Sequence, residues 1–337
     1  MNFFSALKKT GKWSLRIFAA IVCLAVAVLF ISRFASFLRE SKTPQQAAPK
    51  NGHYVSAAGV NIFVQEAGPK AAQAVILVHG TGAWSELWRE TINVLAKNQF
   101  HVVAIDLPPF GFSEKPNGPE NYSRQKQAQR IIGVLDALNI QRAIFVGHSV
   151  GARPTIEAAL VAPQRVQSLV LVDPALGFAK NADSFEQNNP SWMLRAFFAF
   201  RPLRNAGIAA VGTNPWFTKT LFNSFVSNKA AVTPERVKML QQPLKVKNIT
   251  PAEGDWLEYL LVSRDNSLSS DFNNFKKLKA PTLIIWGSSD AVTPLWQGEH
   301  LQKLIPNSTL SVINNVGHIP YIEAPAEFNE ILASFLK

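Results

Sequence analysis

Cysteine is almost absent from this sequence of 337 residues, since Cys23 is the single one. One thiol cannot form a disulfide bond within the chain, and a metal site built from several cysteines is excluded as well. Charged residues are also sparse, at 17%, against 47% hydrophobic residues. This balance excludes a disordered chain and indicates a globular protein with a sizeable core.

Acidic residues are scarce at the N-terminus, and this scarcity accounts for most of the net charge of +11. Residues 1–50 contain eight basic side chains and one acidic one, Glu40, whereas the rest of the chain contains 26 basic and 22 acidic side chains. The sequence has no stripe of basic residues with interleaved aromatics, so we expect no nucleic-acid partner.

The N-terminal part contains an uninterrupted apolar run from Ile17 to Ile31. With Leu15 and the apolar residues of 34–38 it is long enough for a transmembrane helix, whereas a cleaved secretory signal and an amphipathic soluble helix are alternatives. The sequence favours an uncleaved membrane anchor over residues 1–40 and a flexible linker over residues 41–51. Four basic residues precede the run, which predicts a cytoplasmic N-terminus and a domain on the extracytoplasmic side, the periplasm in a bacterium.

Short apolar runs rich in β-branched residues alternate with helix-like stretches in the remainder of the chain. The runs are 74–78, 102–106, 143–147, 166–172, 282–286 and 309–313, after an earlier pair at 54–56 and 60–67 that indicates a hairpin. This alternation predicts an α/β fold with an open, mostly parallel sheet that helices cover. In such sheets, sites form at the carboxyl ends of the strands.

Ser149 lies in the motif Gly147-His148-Ser149-Val150-Gly151, between a predicted strand and a predicted helix. This G-x-S-x-G turn is too tight for neighbouring side chains, and it presents a hydroxyl at the start of a helix. The pattern predicts a nucleophilic serine, with the amide of Val150 directed at the carbonyl oxygen under attack. A plain glycine-rich turn is the alternative interpretation.

A second glycine-containing loop, His79-Gly80-Thr81-Gly82, follows an earlier predicted strand. Its glycines allow the backbone to approach a substrate closely. We expect the Thr81 amide, with Gly82 as the second choice, to complete an oxyanion hole with the Val150 amide. A flexible loop without this role is the alternative.

A nucleophilic serine needs a base, and the base needs an orienting carboxylate. His318 and Asp290 both come just after predicted strands, so both are expected at the same sheet edge as Ser149. Asp173, which follows another strand, is the alternative acid, and a solvent-exposed loop histidine is the alternative interpretation of His318. The chain order Ser149, Asp290, His318 favours the first assignment.

Together these motifs resemble the α/β-hydrolase superfamily, from about residue 52 to the C-terminus. The matching pieces are 79–82, 106–113, 147–151, 286–290 and 317–320 with Glu323. The resemblance implies a mostly parallel sheet of eight strands with helices on both faces, in one domain over residues 52–337. It indicates the branch with esterases, lipases, carbon–carbon bond hydrolases and haloperoxidases. Pro109 stands where the pattern usually has glycine, so we expect a stiffer loop there.

The stretch after the sixth predicted strand is rich in aromatics and is punctuated by X-Pro pairs. The resemblance implies a helical cap here, inserted at about residues 177–272, which would exclude water and bind an apolar substrate part. Many of its aromatics also suit the core of the cap itself. The residues expected to contact the substrate are Gly82, Trp84, His148, Trp192 and Trp216.

The sequence therefore predicts a serine hydrolase that cleaves an apolar or lipid-like carboxylic ester through an acyl-enzyme, with no metal or organic cofactor. Carbon–carbon bond hydrolases and haloperoxidases or perhydrolases use the same triad and are the alternative enzymes. A non-catalytic, membrane-tethered binding scaffold is the alternative outside enzymes.

Overall fold

The computed structural model describes residues 3–178 and 190–337, and its centre is one twisted sheet. The strands are β1 (His53–Ala57), β2 (Val60–Ala67), β3 (Ala74–Val78), β4 (His101–Ile105), β5 (Ala143–His148), β6 (Val166–Val172), β7 (Thr282–Gly287) and β8 (Ser308–Ile313). They lie in the order β1-β2-β4-β3-β5-β6-β7-β8. β2 is antiparallel to both neighbours, and β3 to β8 are parallel. The predicted mostly parallel α/β sheet is confirmed.

Helices connect the strands and cover both faces of the sheet. Within the described residues the α-helices are α1 (Phe3–Arg39), α2 (Pro44–Ala47), α3 (Arg89–Lys97), α4 (Arg124–Ala137), α5 (Ala152–Val161), α6 (Trp192–Ala199), α7 (Arg201–Ala210), α8 (Pro215–Phe225), α9 (Pro234–Gln241), α10 (Ile249–Leu261), α11 (Trp296–Leu304), α12 (Pro320–Glu323) and α13 (Pro325–Leu336).

The central strand β3 is buried on both faces, which explains its unbroken apolar sequence. Because side chains alternate across a strand, Ile76 and Val78 pack on the face covered by α4 and α5. Val75 and Leu77 pack on the opposite face, with α3 and α13. Two apolar layers of this kind hold the carboxyl ends of the strands in fixed positions, where the candidate site residues follow.

Helices α6 to α10 form the insert, the part of the chain between β6 and β7. The cap is predicted in this part of the chain, at about residues 177–272, of which residues 179–189 lie outside the described residues. In two of the X-Pro pairs the residue before proline caps a helix: the Asn214 side chain accepts a hydrogen bond from the Trp216 amide, and Thr233 Oγ1 accepts one from the Arg236 amide. Proline in the first turn then costs no helical hydrogen bond.

The N-terminal helix α1 is long and continuous, and the most apolar part of its segment Leu15–Arg39 is not buried in the protein. By length and composition this segment is sufficient to cross a membrane, and a secretory signal sequence meets the same criteria. Near its end α1 packs along α7 of the insert. Ser32, Arg33 and Ser36 form the covered side of α1, with Ser36 fully buried.

The first half of the stretch 41–51, expected as a flexible linker, contacts the insert. The Lys42 amide donates to the Lys245 carbonyl at 3.1 Å, and the Lys42 carbonyl accepts from the Lys247 amide at 2.8 Å. Thr43 and Gln46 then form a reciprocal capping box at the start of α2. The pairing of Lys42 involves backbone groups of a distant segment, so the local composition of the linker could not indicate it.

Candidate active site

Ser149 lies in a sharp turn between β5 and α5. Its φ of +52° is a left-handed backbone conformation that residues with a side chain seldom adopt. The turn excludes side chains on both flanks: a Cβ on Gly147 would lie 2.6 Å from Thr155 Oγ1, and one on Gly151 would lie 2.2 Å from the His79 carbonyl oxygen. The chain therefore has the strand–turn–helix geometry that the G-x-S-x-G motif requires.

Three buried side chains form one chain of hydrogen bonds at the carboxyl edge of the sheet. Ser149 Oγ lies 2.8 Å from His318 Nε2, and His318 Nδ1 lies 2.7 Å from Asp290 Oδ2. Because a carboxylate only accepts, the Nδ1–H group donates to Asp290, which leaves Nε2 to accept the hydroxyl proton of Ser149. The structure thus brings together the three residues that the sequence assigns to a catalytic triad.

Asp290 is held by hydrogen bonds from the loop that follows it. Its Oδ1 accepts from the amides of Val292 and Thr293, at 2.7 and 2.9 Å, and its Oδ2 accepts from the Thr293 hydroxyl at 2.5 Å. Burial by itself would raise the pKa of Asp290, but the hydrogen bonds from His318 and Thr293 outweigh it and lower the pKa below its ordinary value. Asp290 is therefore ionised, as an orienting carboxylate must be.

Asp173, the alternative acid, lies beside Asp290 but holds a different group. Its Oδ1 accepts from the Gly287 amide at 2.9 Å, and burial together with the nearby Asp290 raises its pKa well above the ordinary value. Asp173, Asp290 and His318 bring three possible metal-ligand atoms within 4.8 Å. The distance of 2.7 Å between His318 Nδ1 and Asp290 Oδ2 is that of a hydrogen bond, however. Two ligand atoms of one tetrahedral zinc ion lie about 3.3 Å apart, so this pair has the spacing of a hydrogen bond and not that of two zinc ligands.

The loop that bears His318 is fixed from two directions. The His318 amide donates to the Phe225 carbonyl of the insert at 2.9 Å, and the His318 carbonyl accepts from His148 Nε2 at 2.8 Å. Nδ1 of His148 in turn accepts from the Tyr321 hydroxyl at 3.1 Å. Glu323 adds a third connection, since it accepts from the Gly317 amide and from the Ser227 amide of the insert.

The loop after β3 approaches Ser149 closely through backbone. A Cβ on Gly80 would lie 2.9 Å from the Ser149 Cβ, so only glycine fits there. Gly82 has φ +67°, which turns the chain directly after Thr81. Among the described residues the Thr81 amide has no hydrogen-bond acceptor, and the Val150 amide lies in the first turn of a helix, where amides have no helical partner. Two amides are thus available beside the serine hydroxyl.

A cavity of about 390 Å³ opens at Ser149 and His318. The loop of Thr81 and Gly82 and the side chains of Leu87 and Phe110 line it from the sheet domain. The insert supplies the other wall, with Thr218, Leu221, Phe222, Phe225, Leu240, Leu244, Glu253, Trp256, Leu257 and Leu260. The site therefore lies between the sheet and the insert, in apolar surroundings.

The five residues predicted to contact the substrate lie in different places. Gly82 and His148 line the cavity. Trp84 is buried behind it, with its ring against Phe112 and its Nε1–H donating to the Met239 carbonyl. Trp192 and Trp216 are not among the residues that line the cavity, and they are 76% and 90% exposed. Their placement as cavity residues needs correction, because aromatic composition alone does not say which face of a helix turns inward.

Sequence reasoning missed Thr293, Tyr321 and Glu253. Thr293 had a local signal, since Asp followed by Thr three residues later is typical of a side-chain-capped turn. Glu253 had one too, because positions 253, 256, 257 and 260 share one helical face and the other three are Trp and Leu. Tyr321 had none, because its contact with His148 joins residues far apart in the chain.

Acid should destabilise the fold through two buried histidines. Burial lowers the pKa of His148 to about 3 and that of His79 to about 4, whereas unfolded histidine titrates near 6.5. Below about pH 6.5 the unfolded chain therefore binds more protons, and each histidine should cost about 2 kcal/mol of stability at pH 5. Urea unfolding of the detergent-solubilised chain at pH 7 and 5 measures this loss. We expect the loss of stability between pH 7 and pH 5 to be about 2 kcal/mol smaller in His148→Gln than in the wild type. Equal losses in the wild type and the variant would contradict the prediction.

Glycine at position 151 should be required for packing of the turn against β3. In Gly151→Ala the new Cβ would lie 2.2 Å from the His79 carbonyl, and we expect a loss of about 1–3 kcal/mol. Gly207→Ala is the matched control, since its Cβ would meet no atom nearer than 3.4 Å and alanine favours the interior of α7. Urea unfolding compares the two variants, and equal stabilities would refute the packing argument.

Comparison with known proteins shows the family of the chain. Residues 73–325 match the model of a family described as alpha/beta hydrolase fold. An uncharacterized hydrolase of Bacillus subtilis (strain 168), YugF, is 29% identical over 282 residues, which are 83% of this chain and 95% of that protein. A 2-hydroxymuconate semialdehyde hydrolase of Pseudomonas sp. (strain CF600) is 29% identical over 303 residues, 86% of this chain and 95% of that protein.

A solved structure also extends the similarity to the N-terminal helix. It is a membrane phospholipase A, described as a bacterial virulence factor, with 23% identity and a TM-score of 0.66. The match covers 97% of this chain and 98% of that one, so α1 falls within the shared fold. The family model matches most of the length of this chain, and the chain has the strand order and the serine turn of the alpha/beta hydrolase fold. The chain therefore belongs to the alpha/beta hydrolase family.

Proposed function

We propose that the protein is a serine hydrolase that cleaves a carboxylic ester with an apolar or lipid-like part. The observation that supports it is the hydrogen-bonded chain from Ser149 through His318 to Asp290 at the floor of an apolar cavity. Ser149 is the proposed nucleophile, His318 the base and Asp290 the orienting carboxylate. A side-chain hydroxyl is a weak nucleophile at neutral pH, and this arrangement is one that activates it.

The proposed reaction proceeds through an acyl-enzyme. His318 Nε2 accepts the Ser149 proton while Oγ attacks the ester carbonyl, and the imidazolium that forms is stabilised by Asp290. His318 then donates the proton to the leaving alcohol oxygen, and the alcohol departs. A water molecule, deprotonated by the same nitrogen, attacks the acyl carbonyl, and the carboxylic acid leaves as Ser149 regains its proton.

The Thr81 and Val150 amides are the proposed oxyanion donors in both attacks. They lie at the two loops that meet at Ser149, and a donor of this kind typically contributes a rate factor of about 10²–10³. Both are backbone groups on segments that glycines hold close together, so their positions are fixed before the substrate binds.

The insert is the proposed cap of this site. It supplies most of the apolar wall of the cavity, and the Phe225 carbonyl binds the amide of His318. An apolar wall favours an acyl chain, since each buried CH₂ group contributes about 0.8 kcal/mol. Exclusion of water by the same wall strengthens the hydrogen bonds at the reacting atoms.

Helix α1 is the proposed membrane anchor, with the N-terminus in the cytoplasm and the catalytic domain on the extracytoplasmic side, the periplasm if the source is bacterial. Because α1 packs along α7, the insert is the part of the domain nearest the bilayer. The exposed rings of Trp192 and Trp216 suit the headgroup region, where tryptophan is enriched. This gives the two side chains a role outside the cavity.

A carbon–carbon bond hydrolase is the second candidate, and the likeness to the 2-hydroxymuconate semialdehyde hydrolase favours it. The same three residues would serve. A substrate of that kind is a carboxylate, however, and the described residues that line the cavity include no lysine or arginine to pair with it. The apolar lining therefore favours an uncharged ester.

Loss of the proposed nucleophile or acid should abolish turnover. We expect Ser149→Ala to lose nearly all hydrolysis of p-nitrophenyl esters and all labelling by a fluorophosphonate probe, and Asp290→Asn to lose about 10⁴ in kcat. Asp173→Asn is the matched control, because Asp173 is equally buried but binds the Gly287 amide, and it should keep activity within about tenfold. Undiminished turnover in Ser149→Ala would refute the proposal, and an unlabelled wild type would indicate a binding scaffold.

The membrane proposal predicts both retention and sidedness. The full chain should remain in the membrane pellet after an alkaline carbonate wash, whereas a chain that begins at residue 41 should be released. In spheroplasts, added protease should digest the catalytic domain while a cytoplasmic marker stays intact. A domain that is protected until lysis would contradict the proposed orientation, and release of the full chain by carbonate would contradict the anchor.

A further inference from the structure

Glu253 is an acidic side chain in the wall of an otherwise apolar cavity. It lies on α10, is 9% exposed, and lines the cavity that opens at Ser149. Trp256, Leu257 and Leu260 follow it on the same helical face and line the cavity as well. Among the described lining residues it is the one that bears a carboxyl group.

The carboxyl group of Glu253 has no hydrogen bond or ion pair with any described residue. Its neighbours on α10 differ: Asp255 pairs with Arg204 at 2.8 Å and accepts from the Gly118 amide, and Glu258 pairs with Arg204 at 2.6 Å. The Glu253 carboxyl oxygens are not among the fully enclosed polar atoms that lack a partner, so they are accessible from the cavity that Glu253 lines. Glu253 thus interacts with Lys115 and Arg39 only through longer-range charge effects, and no described residue within hydrogen-bond distance binds its carboxyl group.

The surroundings of Glu253 favour its neutral form. Burial and the nearby Glu40 raise the pKa of its carboxyl to about 8, against the opposing effects of Lys115 and Arg39. A neutral carboxyl group offers one O–H donor and one carbonyl acceptor. The described lining residues include no lysine or arginine to pair with an anionic ligand group, and an ammonium group would need the ionised carboxyl that burial disfavours. A hydroxyl can donate to this carboxyl group in either protonation form, so an uncharged hydroxyl is the group that fits.

We propose that Glu253 is a substrate-binding residue that recognises a hydroxyl group on an otherwise apolar ester. The carboxyl carbonyl accepts the ligand's O–H and the carboxyl O–H donates to the ligand oxygen, so the carboxyl group gains in the complex a hydrogen-bond partner that no described residue supplies. This inference rests on the proposed esterase function. The hydroxyl belongs either to the acyl chain or to the alcohol part of the ester, as in a partial glyceride, and the two sources require separate tests.

The first experiment compares substrates in pairs that differ by the hydroxyl group, with the full chain in detergent. One pair is p-nitrophenyl dodecanoate and its ω-hydroxydodecanoate, and the other is propyl dodecanoate and glycerol monododecanoate. We expect the wild type to prefer the hydroxylated member of one pair. Glu253→Leu should lower that ratio of kcat/KM by about two- to tenfold, the range that one hydrogen bond accounts for. Glu253→Gln retains a donor and an acceptor and should keep most of the preference.

Leu260→Ala is the matched control for a change in the cavity wall, and it should affect both members of a pair alike. Thermal unfolding of Glu253→Leu checks the fold, and we expect a midpoint at or above that of the wild type because the unpaired carboxyl is removed. The inference is overturned if the wild type shows no preference in either pair, or if Glu253→Leu leaves both ratios unchanged.

A binding measurement separates this inference from the proposed function. In Ser149→Ala, titration calorimetry with a long-chain diol and with the mono-alcohol of the same length needs no turnover. The diol should bind several-fold more tightly, and this advantage should disappear in the double variant with Glu253→Leu. If no ester is cleaved by the wild type but the advantage is found, the proposed function fails and the recognition of hydroxyl stands. Equal binding of diol and mono-alcohol overturns the inference whatever the activity.

Discussion

The backbone of His318 is the point on which the arrangement of the site depends. Its carbonyl accepts from His148, the residue before the proposed nucleophile, and its amide donates to Phe225 of the insert. One peptide segment is therefore fixed to the serine turn on one side and to the cavity wall on the other. The ring then has one position, in which Nε2 meets Ser149 and Nδ1 meets Asp290. Since proton transfer needs hydrogen-bond distance, the geometry of this loop governs what the serine can do.

That fixed loop requires a neutral His148. Its Nε2–H must donate to the His318 carbonyl while Nδ1 accepts from Tyr321, and a protonated ring could not accept. Burial supplies this condition by lowering the pKa of His148 to about 3. Two histidines in contact thus have different tasks because their surroundings differ: one is bonded to a carboxylate and the other is enclosed by backbone and aromatic groups.

The sheet and the serine turn could be predicted from the sequence because local rules determine them. Runs such as Ala74–Val78 are apolar because they are buried on both faces, and Gly147 and Gly151 are required by contacts under 3 Å. The inward faces of the insert helices could not be predicted from composition. Trp216 and Phe225 lie nine residues apart on α8, which is about 180° around a helix, so one is exposed while the other lines the cavity. The helix period distinguishes the two positions only when one residue on the cavity side of the helix is already known.

The N-terminal segment contacts the insert close to the cavity. Arg39 Nε donates to the Leu244 carbonyl at 2.9 Å, and Leu244 lines the cavity. The Thr250 hydroxyl donates to the Glu40 carboxylate, one turn of α10 before Glu253. A tilt of α1 relative to the domain must therefore break these hydrogen bonds or move the cavity wall with them. A flexible tether would leave the cavity independent of α1, whereas these hydrogen bonds couple the orientation of α1 to the shape of the cavity wall.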